Sequence, residues 1–459
     1  RFTYAYDSRY YAEFNFGYNG SERFYKNNRF GFFPSGGLAW SISNEKFWSE
    51  LKPVVSNLRL RATYGLVGND AIGSAADRFF YLSNVDMNNE GRSAVFGTDR
   101  SYSRDGVSIS RYSNFDITWE TAYKTNLALE VGLFDKVQIM ADFFREHRKN
   151  ILMPRQDIPS TMGLSAPISA NLGEAIGKGV DISVDYSHSL PSGVWMQALA
   201  NFTYATNAFE VYEEPEYDES WLTRVGYPIS LQRGFIAERL FLDDEEVANA
   251  PRQNFGEVRG GDIKYLDVNQ DGEITALDKV PLGYPTVPEI NYGFGLSAGY
   301  RGVDISVFFQ GLARESFWID AAATAPFASY VYSGESFPSG TILQNQLLKA
   351  YAESHWSEDN RDVYALWPRL SATANSNNQQ RSTWFMRDGD FLRLKQLEIG
   401  YSFSENVLTR LRLATLRVYV SGTNLLTWSK FKLWDVEMAG NGLGYPIQRV
   451  YNLGLQVSF

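Results

Sequence analysis

The chain has 459 residues, 44% hydrophobic, 15% aromatic and 21% charged, with no cysteine and a formal net charge of −10. Without cysteine there is no disulfide framework, thiolate metal site or cysteine nucleophile, and with only His147, His188 and His355 a histidine-rich zinc site is disfavoured. The acidic balance argues against a nucleic-acid partner, which needs clustered Lys and Arg, and no run of about 18 apolar residues offers a transmembrane helix.

Strands can still cross a membrane, and the periodicity is that of strands. Apolar residues recur at every second position over segments of ten or more residues, as in Leu58, Leu60, Ala62 and Tyr64, in Val180, Ile182, Val184 and Tyr186, and in Ile290, Tyr292, Phe294, Leu296, Ala298 and Tyr300. In chain order the pattern predicts strands at 1–6, 9–19, 29–43, 57–67, 118–132, 136–151, 176–189, 193–206, 288–300, 303–312, 390–403, 411–425 and 447–459. Strands of ordinary sheets run to about 5 or 6 residues, whereas a tilted strand crossing a bilayer needs about 9 to 11. The predicted segments fit the longer class, and Phe, Tyr and Trp stand near many of their ends, as interfacial girdles require.

Connections alternate in length. Asp7-Ser8, Leu133-Phe134-Asp135, Leu190-Pro191-Ser192 and Arg301-Gly302 read as tight turns, and 44–56 and 404–410 as modest ones. The intervening connections, 68–117, 152–175, 207–287, 313–389 and 426–446, are long. Short turns on one side and long loops on the other is the pattern of an all-β transmembrane antiparallel β-barrel of the outer membrane, its short side periplasmic. An even strand number is expected of such a barrel, so thirteen strands starting without a signal segment at Arg1 imply that further strands precede this sequence. The connection 68–117 has room for another hairpin.

Four local features bear on function. The last residues place Asn452, Gly454, Val457 and Phe459 in the spacing of an outer-membrane assembly signal that ends in an aromatic. The segment from Glu210 to Lys279 carries 17 acidic and 7 basic residues, the whole net charge of the chain, with clusters at 213–219 and 243–246. Within it, Asp267, Asn269, Asp271, Glu273, Thr275 and Asp278 match positions 1, 3, 5, 7, 9 and 12 of a calcium loop with Gly272 at position 6. Asp at the closing position is shorter than the usual Glu, which lowers the expected affinity, and no paired helices flank the loop, so a structural Ca2+ is the one cofactor expected. Asp181 and Asp185 share a strand face roughly 13 Å apart, too far for paired acid-base catalysis, and read as pore-lining charges. No catalytic residues are assigned and no enzyme activity is expected.

These segments together resemble the SusC/RagA-like branch of the TonB-dependent outer-membrane transporters. The resemblance is carried by Asn19-Gly20-Ser21-Glu22-Arg23-Phe24, Asn27-Asn28-Arg29-Phe30-Gly31-Phe32-Phe33-Pro34-Ser35, Leu58-Arg59-Leu60-Arg61-Ala62-Thr63-Tyr64-Gly65, Gly261-Asp262-Ile263-Lys264-Tyr265, Pro288-Glu289-Ile290-Asn291-Tyr292-Gly293-Phe294, Asp388-Gly389-Asp390-Phe391-Leu392-Arg393-Leu394-Lys395 and Val420-Ser421-Gly422-Thr423-Asn424-Leu425-Leu426. It implies a 22-stranded barrel of which residues 1–459 are the C-terminal part, with the plug, the TonB-contacting segment and the first strands upstream. It further implies active import of glycan fragments or peptides across the bacterial outer membrane, with TonB and a SusD-like lipoprotein lid as partners. Residues 207–287 and 313–389 are then extracellular loops, the second with a helix-like stretch at Leu343–Tyr351 suited to lid docking. Trp221, Tyr227, Phe235, Trp318, Trp356 and Trp367 are candidates for stacking on ligand, though no substrate-binding residue is assigned. The alternative is a surface ligand-binding or adhesin barrel without active transport.

Overall fold

The protein was analysed as a computed structural model, which describes residues 1–74, 77–331, 342–442 and 444–459. Thirteen strands form one antiparallel sheet in sequential order, and they are the thirteen predicted ones. They run Phe2–Tyr6, Tyr10–Gly20, Phe30–Ser41, Val55–Asn69, Glu120–Leu133, Val137–Pro154, Ser169–Ser189, Trp195–Val211, Ile290–Tyr300, Val303–Ala313, Phe391–Ser402, Thr415–Ser429 and Val450–Ser458. Among the described residues no helix is long and apolar enough to cross a membrane, which leaves crossing by strands open.

Several strands outrun their predicted bounds at the long-loop end. Ser169–Ser189 starts seven residues before the alternation of 176–189 does, because Ser169 to Ala175 still pair with Arg148 to Pro154. Pairing is set by the backbone ladder, and the face pattern fades before the ladder does. The hairpin allowed for in 68–117 exists, as Asn84–Phe96 paired with Tyr102–Arg111, but it forms its own two-stranded sheet. At the short-turn end, three two-residue turns hold both central residues at positive φ: Asp7 and Ser8 at 51° and 50°, Phe134 and Asp135 at 53° and 55°, Arg301 and Gly302 at 49° and 86°. That geometry matches the right-handed twist of the flanking strands.

The chain divides into two compact units. In the first (1–186, 203–216 and 224–229) the register sets Leu38, Ala62, Leu127, Phe143 and Val180 side by side on one face. That face is exposed: Leu38 is 67% accessible, Leu127 55% and Phe143 56%. Aromatic pairs bracket it, Tyr10 stacked on Trp40 at the turn end and Tyr18 on Phe30 at the loop end. Eight residues separate Tyr10 from Tyr18, about 26 Å of strand, close to the height of a membrane barrel's apolar band. The opposite face carries charge. Arg61 there pairs with Glu130 at 2.7 Å and Asp142 at 3.5 Å, and Asp181 lies opposite Asp142 and accepts from Thr203 at 3.2 Å.

In the second unit (187–202, 217–223 and 230–459) Ile305, Ile399, Val420 and Leu453 form a comparable exposed apolar row, which the half-buried Ala298 continues. Its packed core lies elsewhere. Phe235, Leu240, Ile263, Tyr265 and Ile274 from the segment after 230 meet Phe317, Ile319, Tyr351, Trp356, Trp367 and Phe385 from the segment after 313, with Phe431 and Val436 beneath. Arg393 at the start of a strand is buried against this core and ion-paired with Asp435 and Glu437, each at 2.8 Å. The long connections are therefore a folded body, stitched by short sheets such as Ala237–Leu240 with Ile263–Tyr265. The stretch expected to be helical over 343–351 is otherwise: Ile342–Gln344 is a strand and only Lys349–Glu353 is helix. Asn345 accounts for the break, because its amide reaches the carbonyls of Ala323 and Ala325 at 2.9 and 3.0 Å while its backbone bonds Ala328. Residues 332–341 of the loop 313–389 lie outside the described residues.

A core in the loops makes a separable prediction. Ile263→Ala removes buried methyl groups from a site with no exposure and is expected to cost about 2 to 5 kcal/mol locally. Limited proteolysis of the variant in detergent should cut faster within 230–389, while the heat-dependent gel mobility of the strands stays unchanged.

Candidate functional site

The acidic segment is less open than its composition indicated. In the first unit, Glu213 accepts from Arg155 at 2.8 Å through both oxygens, and Glu214 accepts the backbone N–H of Arg224 at 3.0 Å. In the second, Asp243 caps the short helix Asp244–Ala248 through the Glu246 N–H at 3.0 Å, and Asp244 accepts from Gly260 at 2.8 Å. Glu246 takes two bonds from Arg239 and one from Lys264. Burial raises the pKa of Glu246, but the Arg239 pairing, the Leu242 N–H and Lys264 outweigh it and bring it to about 2. Glu213, Glu214, Asp243, Asp244 and Glu246 are thus engaged within the fold.

The calcium-like loop has the turn its sequence demands, with Gln270 at φ 60° and Gly272 at φ 88°. The N–H of Gly272 bonds Asp267 Oδ2 at 2.9 Å, that of Asp271 bonds Asn269 Oδ1 at 3.3 Å, and that of Glu273 bonds Asp271 Oδ1 at 2.9 Å. Thr275 and Asp278 make a reciprocal cap, with Thr275 Oγ1 accepting from Leu277. Asp278 is wholly buried and gives Oδ1 to Val268 N–H and Oδ2 to Thr275 N–H, each at 2.8 Å. It therefore closes the loop as a cap before it closes any cation shell. Asp267 Oδ1 is buried with no partner, which is the atom a hard cation would engage.

Of the six aromatics singled out for stacking on ligand, Phe235, Trp356 and Trp367 are buried in the loop core and serve packing. Trp221 is tied by its Nε1–H to Leu277 O at 2.8 Å. Trp318 has a different place. With Gln232, Asp320, Gln379, Gln380 and Arg381 it lines a cavity of about 330 Å3 floored by Phe317 and Phe385. The guanidinium of Arg381 stacks over the Trp318 ring at 5.5 Å and donates to Gln232 at 3.2 Å, while Trp318 Nε1–H is held by Ser382 O at 2.8 Å. A flat ring, a guanidinium, a carboxylate and amides within one small cavity suit hydroxyl- or amide-bearing ligands. The polar lining comes from four segments, at Gln232, Thr286, Asp320 and Gln379 to Arg381, and carries no motif, so the sequence showed only its tryptophan.

Asp181 and Asp185 do lie on the polar sheet face, each beside the partner strand at Asp142 and Gln138. Asn452, Gly454 and Val457 sit in the last strand, opposite Ser421, Tyr419 and Leu416, with Phe459 just beyond it.

Comparison with known proteins agrees with this architecture. Residues 1–425 match the family model described as TonB dependent receptor-like, beta-barrel, and the chain belongs to that family. TonB-dependent receptor P3 of Formosa agariphila is 27% identical over 488 residues, covering 100% of this chain and 45% of that protein. TonB-dependent receptor SusC of Bacteroides thetaiotaomicron is 24% identical, with 100% and 43% covered. In solved structures the fold recurs in the RagAB peptide transporter, TM-score 0.71 at 23% identity, over 100% of this chain and 46% of that one. The SusC/RagA-like resemblance read from the sequence is borne out, and the chain spans about half the length of the curated relatives it matches. The family is one of outer-membrane receptors and transporters.

Beside the loop core, Glu315 has its carboxyl pushed up to about 7, first by burial and then by Asp390 and Glu437. A folded pKa above the ordinary 4.5 means that the folded protein keeps a proton the unfolded chain has released between about pH 4.5 and 7. Stability should fall as pH rises through that window and level off above it. Glu315→Gln is expected to melt higher than the native protein at pH 8 and level with it near pH 4; identical melting profiles for the two would refute the assignment.

Proposed function

We propose that this chain forms part of an active importer of nutrient oligomers, glycan fragments or peptides, energised through TonB and working with a SusD-like surface lipoprotein. One observation carries the reading: the long connections fold on their own core and hold a cavity that pairs Trp318 and Arg381 with Asp320 and amide side chains. A rigid, polar-aromatic cavity suits capture of ligands with hydroxyls or peptide groups, which an inert structural barrel has no need of. The likeness to the RagAB peptide transporter and to TonB-dependent receptors supports the same class.

The test is uptake by cells carrying the full-length protein, given fluorescent peptide and oligosaccharide mixtures, with and without collapse of the proton gradient. Uptake of one class should vanish on gene deletion and on uncoupling, and a lipoprotein should co-purify in mild detergent. Ligand that stays on the surface whatever the gradient would overturn import and leave the adhesin reading. Arg381→Ala should weaken capture by roughly tenfold, about 1.4 kcal/mol, without altering the protein's melting.

We also propose a structural Ca2+ in the loop from Asp267 to Asp278, supported by the partnerless Asp267 Oδ1. Chelation with EGTA should lower the melting temperature of the native protein and leave Asp267→Asn unmoved. Equal responses would remove calcium from this loop.

A further inference from the structure

A second constellation, within the first unit, rests on nothing in the proposed function. His147, Glu174 and Glu210 come from the three successive strands Val137–Pro154, Ser169–Ser189 and Trp195–Val211. Their ligand-type atoms all lie within 4.8 Å of one another. His147 Nε2 stands 2.7 Å from Glu174 Oε2 and 2.8 Å from Glu210 Oε2. A single ring nitrogen carries at most one proton, so it cannot donate fully to both carboxylates. Lys149 Nζ, 3.3 Å from Glu174 Oε2, offsets one of the two negative charges.

The backbone is shaped to bring these groups together. Arg148 pairs with Ala175 and Ile151 with Gly173, so Lys149 and Asn150 together face the single residue Glu174. Asn150 takes φ 58° in that bulge, the left-handed conformation by which a bulge re-aims side chains. His147 lies opposite Tyr123 and four residues beyond Phe143, on the face where Phe143 is exposed, so it sits about 13 Å along the strand past the apolar row. The cluster stands at the loop end of the apolar face, and Glu210, 44% exposed in its side chain, leaves it open to solvent.

We propose that His147, Glu174 and Glu210 bind a divalent transition-metal ion of the zinc class, with water in the fourth position. One imidazole nitrogen and two carboxylate oxygens form a mixed donor set that suits Zn2+ and disfavours Ca2+ and Mg2+, which take oxygen alone. Ligands at about 2.1 Å in tetrahedral array stand about 3.4 Å apart, so side-chain shifts of well under 1 Å from the present contacts open the site. With Lys149 balancing one carboxylate, a bound Zn2+ satisfies both acids at once and clips three neighbouring strands at their loop ends.

The experiment is calorimetric titration of the full-length protein in detergent, purified without a histidine tag and stripped with chelator, using Zn2+ alone, Co2+ alone and Ca2+ alone. One Zn2+ per chain should bind, Co2+ should give the visible spectrum of a nitrogen-containing site, and Ca2+ should fail to compete. Glu210→Gln, isosteric and at the most exposed ligand, should weaken Zn2+ by roughly tenfold or more while melting as the native protein does, and His147→Ala should abolish the Co2+ spectrum. Zn2+ isotherms that superimpose for native, Glu210→Gln and His147→Ala protein would overturn the proposal. So would Ca2+ displacing Zn2+ at equal concentration.

Discussion

The direction in which the apolar side chains point decides the rest of this molecule. In a soluble sheet protein the apolar face is covered by a second layer and becomes the core. Here Leu38, Leu127 and Phe143 in one unit, and Ile305, Ile399 and Val420 in the other, stand exposed in rows fixed by the strand registers. Such rows are stable only against hydrocarbon, and hydrocarbon tolerates no unpaired backbone N–H or C=O. Strands must therefore stay paired through the whole apolar depth. That demand accounts for turns as tight as Phe134-Asp135, forced into left-handed conformations without a glycine, since a looser turn would leave backbone groups unpaired near the ladder's end.

A sheet that gives its apolar face to lipid has none left for a core of its own. The core of the second unit is accordingly built from connections, where Phe235, Ile263 and Tyr265 pack on Trp367 and Phe385. Polar groups bury with it, several of them hydrogen-bonded: Asp262 accepts from Arg369, Asn375 and Asn378, and Asn377 reaches the carbonyl of Ile263. Carboxylates that composition alone would place on a repelling surface are occupied in the same way, as Glu246 is by Arg239 and Lys264. Rigidity in these loops is thus a consequence of the membrane-facing sheet, since they hold the unit's packed interior.

This division explains what the sequence could and could not show. Strands announce themselves by a period of two, and all thirteen were legible because one face of each is mainly apolar, as in Leu60 and Ala62 against Arg61. Their loop ends were not, because Ser169 to Ala175 pair without alternating. Loops carry no period. Phe235, Trp356 and Trp367 look like ligand-stacking residues in a sequence and are core in the fold, while the polar lining of the Trp318 cavity is assembled from segments whose proximity only the packing creates. The calcium-like spacing was legible as a turn, and Gly272 adopts the positive φ it predicts, yet the double backbone engagement of Asp278 could not be read from spacing. His147, Glu174 and Glu210 were missed because their meeting depends on a bulge at Lys149-Asn150 that no alternation marks.

Under the proposed import reading, charge on the polar sheet face bears on where ligand would be selected. Arg61 is held between Glu130 and Asp142 in one unit, and Arg417 between Asp304 and Glu398 in the other. Each guanidinium is engaged by two carboxylates and has no charge to spare for an anionic ligand. In the loop body the balance differs, because Arg381 leans on the Trp318 ring and donates to the neutral amide of Gln232. A guanidinium so placed keeps its charge available at the cavity. Under the proposed import reading, discrimination among oligomers then belongs to the folded connections, while the polar face, whose arginines are already engaged across strands, offers a passage without strong binding. A conduit needs that weakness, since a wall that gripped the ligand would slow its release.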